Sequence, residues 1–449
     1  MKRAISRRDF LKVTGAAGAA GLLAACGGSS SSSTAAPASS TAASTAASGG
    51  NVSISLWTYP IGSWGGTESK LDDIIAAFNA VHPEITVTYE TLDYQNGDNL
   101  VTSAITANET PDIIMEGPER LVTNWGANNL MVDLSDLWSE TEEDIAAVSE
   151  SVVGACKLND AYYEYPLCMT THCMAINYEV FEQAGALQYL DEETRTWTTD
   201  DFVKAMETIR DSGLAAVPGI LYCGGQGGDQ GTRALVNNLY SGTYTNPEHT
   251  EYTVNSPENV KALELLKSMV DNRSLNANAG FQAADELQQF ANGTAAVTFC
   301  WNASNKAQYA SQVTFTPYAM AFPSDDGVPE LCGGIWGFGI FNSGDDARIE
   351  AAKTFIKFVC DDADQAAESV RLTGFFPVKD SLGDVYEGTD QAEQMGEFAA
   401  LMPYLGDYYN VAPNWTAQRQ NWFNMLQQIM VNGTPAQEAA DAFVEASNP

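Results

Sequence analysis

The chain has 449 residues, with 58 acidic against 22 basic side chains and a formal net charge of −36. A surface so acidic repels nucleic acid and anionic lipid headgroups, and it disfavours long-range capture of an anionic solute. The same charge serves solubility equally well, so it narrows the partners without naming one.

The N-terminus carries Lys2, Arg3, Arg7 and Arg8, followed by small and apolar residues from Val13 to Ala25. This run is too short for a permanent membrane helix and reads as an export signal, residues 1–25. Ser6-Arg7-Arg8-Asp9-Phe10-Leu11-Lys12 matches the twin-arginine pattern. Paired arginines also occur in ordinary leaders, which leaves both export routes open. Leu23-Ala24-Ala25-Cys26 resembles a lipobox, so Cys26 is the predicted acylation site. Residues 26–50 are almost entirely Ser, Thr, Ala and Gly, a composition that buries nothing and forms a tether of roughly 25–30 Å r.m.s. reach. Loss of the signal removes five basic residues and one acidic residue, taking the charge to −40.

Asn51 to Pro449 leaves 399 residues, enough for a large core and for two lobes. Val52–Trp57 alternates as a strand, and Leu71–Phe78 has helical spacing that His82-Pro83 ends. Ile85–Tyr89 is predicted as a strand, Leu100–Ala107 as a helix and Asp112–Met115 as a short buried strand. The result is a βαβαβ pattern, the mark of a parallel sheet covered by helices. Further strands are predicted at Met174–Asn177, Gly219–Tyr222, Ala295–Phe299 and Gly337–Phe341. Helices follow from the spacing at Thr199–Asp211, Pro257–Asp271, Asp345–Cys360 and Ala417–Val431. In Thr196-Trp197-Thr198-Thr199-Asp200, one threonine is predicted to cap a helix and Trp197 to pack.

The order of these segments carries a resemblance. Ile75-Ala76-Ala77-Phe78-Asn79, His82-Pro83-Glu84-Ile85-Thr86-Val87, Thr110-Pro111-Asp112-Ile113-Ile114 and Ala175-Ile176-Asn177-Tyr178-Glu179 stand in sequence. Phe290-Ala291-Asn292-Gly293-Thr294-Ala295, Thr373-Gly374-Phe375-Phe376-Pro377 and Gly433-Thr434-Pro435 come after them. Over nearly all of residues 51–449 the chain resembles the extracellular family 1 solute-binding proteins of ABC importers, the group that includes maltose-binding and glycerol-phosphate-binding proteins. The resemblance implies an α/β, two-lobed periplasmic-binding-protein-like fold with an interlobe ligand cleft and hinge crossings. Lobe one would be 51–168 and 338–402, and lobe two 170–335 and 408–449. The crossings would lie near Leu167–Thr171, Gly334–Gly339 and Pro403–Val411. The implied protein is a monomer, lipid-anchored outside the cell, that hands a sugar to an ABC permease and needs no cofactor.

A neutral sugar calls for flat aromatic rings and for side chains that both donate and accept hydrogen bonds. Trp57 and Tyr59 end the first strand before a glycine-rich loop, and Glu116 follows the Asp112–Met115 strand beside Gly117. Both positions are carboxyl ends of strands, where open α/β sheets bind ligands. Gln226 lies in Cys223-Gly224-Gly225-Gln226-Gly227-Gly228-Asp229, a loop after a strand. Trp336 sits beside Gly333-Gly334 at the second crossing, and the resemblance adds Trp301 and Arg419 as ligand-facing positions.

Rival functions lack their residues or stay open. No G-x-G-x-x-G, G-K-[ST], H-E-x-x-H or G-x-S-x-G occurs, so neither a nucleotide site nor a catalytic residue is predicted. Cys168, His172 and Cys173 are close in sequence, but no second pair follows at finger spacing; a buried crossing strand is predicted and no metal. The seven cysteines after Cys26 are odd in number, so at least one is predicted unpaired unless a dimer forms, and their irregular spacing is not a disulfide framework. A two-carboxylate surface glycosidase, a tethered adhesin and, among binders, a glycerol-phosphate or other anionic-solute protein that would use Arg419 remain alternatives.

Overall fold

A computed structural model describes residues 51–65, 69–94, 96–225, 228–406 and 412–448, and the side chains within them apart from that of Thr416. The signal, Cys26, the tether and Gln226 lie outside the described residues.

The first half of the chain builds the βαβαβ unit that its periodicity predicts. Strand β1 (Val52–Thr58), helix α1 (Leu71–Val81) and strand β2 (Ile85–Thr91) come first, then helix α2 (Gly97–Ala107) and strand β3 (Ile113–Glu116). β1 lies between β2 and β3, parallel to both. α1 buries Leu71, Ile74, Ile75 and Phe78, the i, i+3, i+4, i+7 stripe that turns a helix onto a sheet. Phe78 meets Phe355 edge-on at 5.1 Å, so this layer is closed by a helix from much later in the chain.

Next comes a long strand, β4 (Tyr165–Asn177), of which only Met174–Asn177 was legible as strand. It is buried over twelve of its thirteen residues, so it has no polar–apolar alternation to read. Helix α3 (Thr199–Ser212) starts on Thr198, whose hydroxyl accepts from the Asp201 N–H, and Trp197 packs beneath it against Phe181 and Phe202. Strand β5 (Ile220–Tyr222), helices α4 (Gln230–Leu239) and α5 (Pro257–Asp271) and strand β6 (Asn276–Asn278) follow. After helix α6 (Ala283–Ala291) come strand β7 (Val297–Trp301), helix α7 (Ala303–Tyr309) and strand β8 (Pro317–Met320).

Strand β9 (Cys332–Ile340) returns antiparallel along β4 and then along β3. Helix α8 (Asp346–Asp361), the short strand β10 (Phe376–Pro377), helix α9 (Ala392–Ala399) and helix α10 (Trp415–Met430) complete the framework. The main sheet runs β8-β4-β9-β3-β1-β2, with β7 and β10 also paired to β4.

β4 and β9 are the bridge between the lobes. The front of β4 pairs with β9 and β10, and its end pairs with β7 and β8, so one strand belongs to both halves. Cys332 faces His172, Gly334 faces Thr170 and Trp336 faces Cys168, after which the register slips between Trp336 and Gly337. Such a bulge lets the paired strands bend sharply. No room exists for a side chain there: a Cβ on Gly337 would lie 2.5 Å from the Tyr165 carbonyl oxygen. Cys156, Cys168, Cys173, Cys223, Cys300 and Cys360 are buried and free, and Cys332 is buried as well. Helix α9, inside the range expected for lobe one, packs against α7, inside the range expected for lobe two, where Lys306 pairs with Glu397.

Candidate functional site between the lobes

β1, β2 and β3 end side by side, and the residues just past them form one aromatic group. Tyr59 is 4% exposed and stacks on Tyr94 with ring centroids 5.1 Å apart and planes at 19°. The Trp336 ring meets Tyr59 edge-on at 6.1 Å. Trp57 is half-buried against the same small cluster, which Leu92, Val101, Ile114 and Leu121 complete. α2 can start this close only because its first residue is glycine: a Cβ on Gly97 would lie 2.5 Å from the Tyr59 hydroxyl.

Tyr94 borders the same group. Its ring is 63% exposed, yet loss of hydration raises the proton affinity of its hydroxyl, with the Glu116 charge adding to the effect.

Around these rings lie charged groups in pairs. Arg120 donates from Nε and Nη2 to the two Asp98 oxygens, both at 2.7 Å, and its Nη1 is 3.5 Å from Glu116 and 3.7 Å from Glu119. Glu116 is the last residue of β3, one place further into the strand than the sequence pattern suggests, and it is 3% exposed. Burial pushes its carboxyl up to about 7, with Glu119 and Asp98 adding to the rise while Arg120 and the Gly117 N–H oppose it. Burial also acts to raise Asp98, but Arg120 more than offsets this and Arg419 helps, leaving that carboxyl below its ordinary value. Asp98 belongs to the first half of the chain and Arg419 to α10, so charges from the two proposed lobes act on one space.

On the far side, the Arg419 Nε donates to Asp229 at 2.9 Å. Asp229 is fully buried and 2.7 Å from the Arg233 Nε, an ion pair without the alignment of a hydrogen bond. The Arg233 guanidinium lies 4.9 Å from the centre of the Tyr244 ring and 4.5 Å from that of Trp415. Close by, burial and then the Arg233 charge lower His172 to about 4, so the imidazole is neutral at pH 7, and its Nδ1 is buried without a partner. His172 also borders the hinge, with Nε2 3.4 Å from where a Cβ on Gly334 would be.

The structure therefore brings Trp57, Tyr59, Glu116 and Trp336 together, with Arg419 reaching their surroundings from the other side. It seats Trp301 elsewhere. That residue is the last of β7, not a residue beyond it, and is fully buried with its ring 5.5 Å from Phe290; its indole N–H has no partner. Tyr94, Asp98, Arg120, Asp229 and Arg233 were not picked out from the sequence. Among the described residues, no group of three or more His, Cys, Asp or Glu is placed to hold a metal ion. No helix among them is long and apolar enough to cross a membrane.

Two lobes joined by crossing strands, with aromatic and charged side chains between them, define the class of two-lobed solute-binding proteins. The chain belongs to the family described as bacterial extracellular solute-binding protein, whose model matches residues 63–366. A twin-arginine translocation signal model matches residues 4–24, so the protein is exported from the cytoplasm. A comparison with curated proteins finds no match. Among solved structures, a solute-binding protein from Thermotoga lettingae bound with α-D-tagatose is 16% identical with a TM-score of 0.71, covering 88% of this chain and 99% of that one. An ABC substrate-binding protein from Listeria monocytogenes in complex with cycloalternan is 18% identical with a TM-score of 0.69, covering 89% and 98%. The cyclic α-maltosyl-1,6-maltose-binding protein of Arthrobacter globiformis is 20% identical with a TM-score of 0.69 and the same two coverages, 89% and 98%. These identities support the shared fold.

Proposed function

We propose that the space between the lobes takes an uncharged carbohydrate, and that the protein delivers it to an ABC permease without altering it. The observation that carries this reading is the ring group of Tyr59, Tyr94 and Trp336 at the ends of β1 and β2, set beside the Asp98–Arg120 pair on which the Arg419 charge also acts. Rings stack on the C–H faces of a sugar, while Asp98 accepts from its hydroxyls and Arg419 donates to them. Three guanidiniums, Arg120, Arg233 and Arg419, stand against Asp98, Glu119 and Asp229, with Glu116 only partly ionised near neutral pH. Such a near-balance favours a neutral solute over a phosphate. The tagatose and cycloalternan of two solved relatives are uncharged polyols, which supports the same class.

In this reading Trp57, Tyr59, Glu116, Trp336, Arg419 and the loop residue Gln226 bind the ligand, and Trp301 supports the lobe-two wall from within. Lobe one is 51–168 with 338–402, and lobe two is 170–335 with 408–449. The protein acts as a monomer, and a lipid on Cys26 holds it at the membrane through the 26–50 tether. Replacing Cys26→Ser should move the protein from the membrane fraction to the medium.

Thermal denaturation against neutral mono-, di- and oligosaccharides, with glucose 6-phosphate and glycerol 3-phosphate alongside, tests the reading. A ligand at a hundred times its Kd adds about 2.7 kcal/mol of stability. A rise in Tm with a neutral sugar is expected. A rise with the phosphates alone would replace it with the anionic-solute alternative.

A further inference from the structure

Arg419 is held unusually firmly for a cleft arginine. Its Nε edge is fixed by Asp229, a carboxylate with no exposure at all, and its own side chain is 12% exposed. Asp229 is in turn fixed by Arg233, one helical turn along α4, whose side chain is also fully buried. Arg233 has the Tyr244 and Trp415 rings beside its guanidinium, and Trp415 is the first residue of α10, the helix that carries Arg419. The chain of contacts therefore closes on itself: α4 supplies Arg233 and the residue before its first turn, Asp229, while α10 supplies a ring and the arginine being held. A further bond ties the same two helices, from the Trp422 Nε1 to the Thr232 hydroxyl at 2.9 Å. Among the described residues the Arg419 Nη atoms take no hydrogen bond, and the Arg419 charge is felt at Asp98 across the space.

Resting on the sugar-binding reading above, we propose that Asp229 and Arg233 are positioning residues that lock the Arg419 guanidinium with its Nη edge toward the ligand, where it takes a pair of neighbouring sugar hydroxyls. The geometry explains why the partner is a diol. A guanidinium presents two parallel N–H donors at fixed spacing, which match two adjacent oxygens. Asp229 shares its charge between two arginines. Asp98, held by Arg120 on the facing side, supplies an acceptor for the proton of a bound hydroxyl. A doubly charged phosphate would meet the Asp98 and Glu119 carboxylates that flank Arg120. Holding the fork in advance also removes the entropy that a long, free arginine would lose on binding.

Two measurements on the whole mature chain test this. The first needs no ligand: nitrogen-15 relaxation of the arginine Nε–H groups, with the Arg419 signal assigned by its loss in Arg419→Lys. Arg419 should be as rigid as the backbone in the parent and mobile in Asp229→Asn; equal mobility in both overturns the positioning claim. Should Asp229→Asn fail to fold, Asp229→Glu keeps the charge, displaces it by one methylene and should still loosen Arg419. The second is calorimetric titration with maltose, D-tagatose, ribitol and glucose 6-phosphate. The neutral probe that binds should lose about tenfold or more in affinity in Asp229→Asn, the range of a hydrogen bond to a charged group, and a similar loss should follow in Arg419→Lys. Undiminished affinity in both variants overturns the inference, as does glucose 6-phosphate binding tighter than every neutral probe. If no probe binds while Arg419 is rigid only with Asp229 intact, the carbohydrate reading fails and the positioning claim stands.

Discussion

At the scale of single residues, the site is a set of burial decisions. Glu116 is buried, so its carboxyl binds a proton more tightly in the folded protein than in the unfolded chain. The sign follows from linkage: the folded state holds more protons between the ordinary carboxyl range and about 7, so Glu116 makes the protein less stable as pH rises through that window. In Glu116→Gln this component should vanish. Denaturant melts between pH 4 and 8 check it, with the parent losing stability relative to the variant as pH rises; parallel curves would show that folding leaves the Glu116 pKa unchanged. Trp301 makes the opposite point. With no exposure and a ring packed on Phe290, its replacement by alanine should cost about 3–5 kcal/mol of stability, read as a fall in Tm of several degrees. A Tm within one degree of the parent, with sugar affinity lost, would return Trp301 to the cleft. The sequence could not distinguish these roles, because a tryptophan at a strand end looks alike whether it faces a ligand or the neighbouring helix. Nor did it reveal Tyr94 or Asp98. They follow the second strand in a polar stretch, Asp93-Tyr94-Gln95-Asn96-Gly97-Asp98, that reads as an ordinary turn, and only the stacking on Tyr59 and the bond to Arg120 give them a place.

At the scale of elements, legibility tracked amphipathicity. α1, α3 and α5 each present one buried face, so their spacing located them within a residue or a few, and the Pro257–Asp271 helix within none. β4 escaped because it is buried on both faces and has no alternation, and its first half carries Pro166 and two threonines that read as loop. β9 was half legible for a related reason: Gly333, Gly334, Gly337 and Gly339 weaken any strand signal. Yet those glycines let the strand lie against its neighbours at the crossing. Gly337→Ala would force a methyl to within 2.5 Å of the Tyr165 carbonyl oxygen, and it should destabilise the protein by about 1–3 kcal/mol. Chemical denaturation measures this. An unchanged midpoint would mean that the bulge between Trp336 and Gly337 has slack that the packing does not suggest.

At the scale of the whole molecule, the two-lobed fold follows from a small number of features that the sequence did show: a βαβαβ start, a chain too long for one core, and ordered motifs shared with a family. What the sequence left out is the relation between the lobes, because the Arg419 charge acting on Asp98 and the ring contact of Tyr59 with Trp336 join positions more than two hundred residues apart. The functional claim rests on that relation. A ligand that touches both lobes binds the closed form more tightly than the open one, and only this difference moves the population. The hinge is built for such motion, with β4 and β9 as paired strands, glycines at the crossing and a bulge between Trp336 and Gly337. Small-angle X-ray scattering of the mature protein, without ligand and saturated with the neutral sugar that raises its Tm most, tests this most directly. The account predicts a smaller radius of gyration with sugar than without; an identical scattering curve at saturation would contradict it.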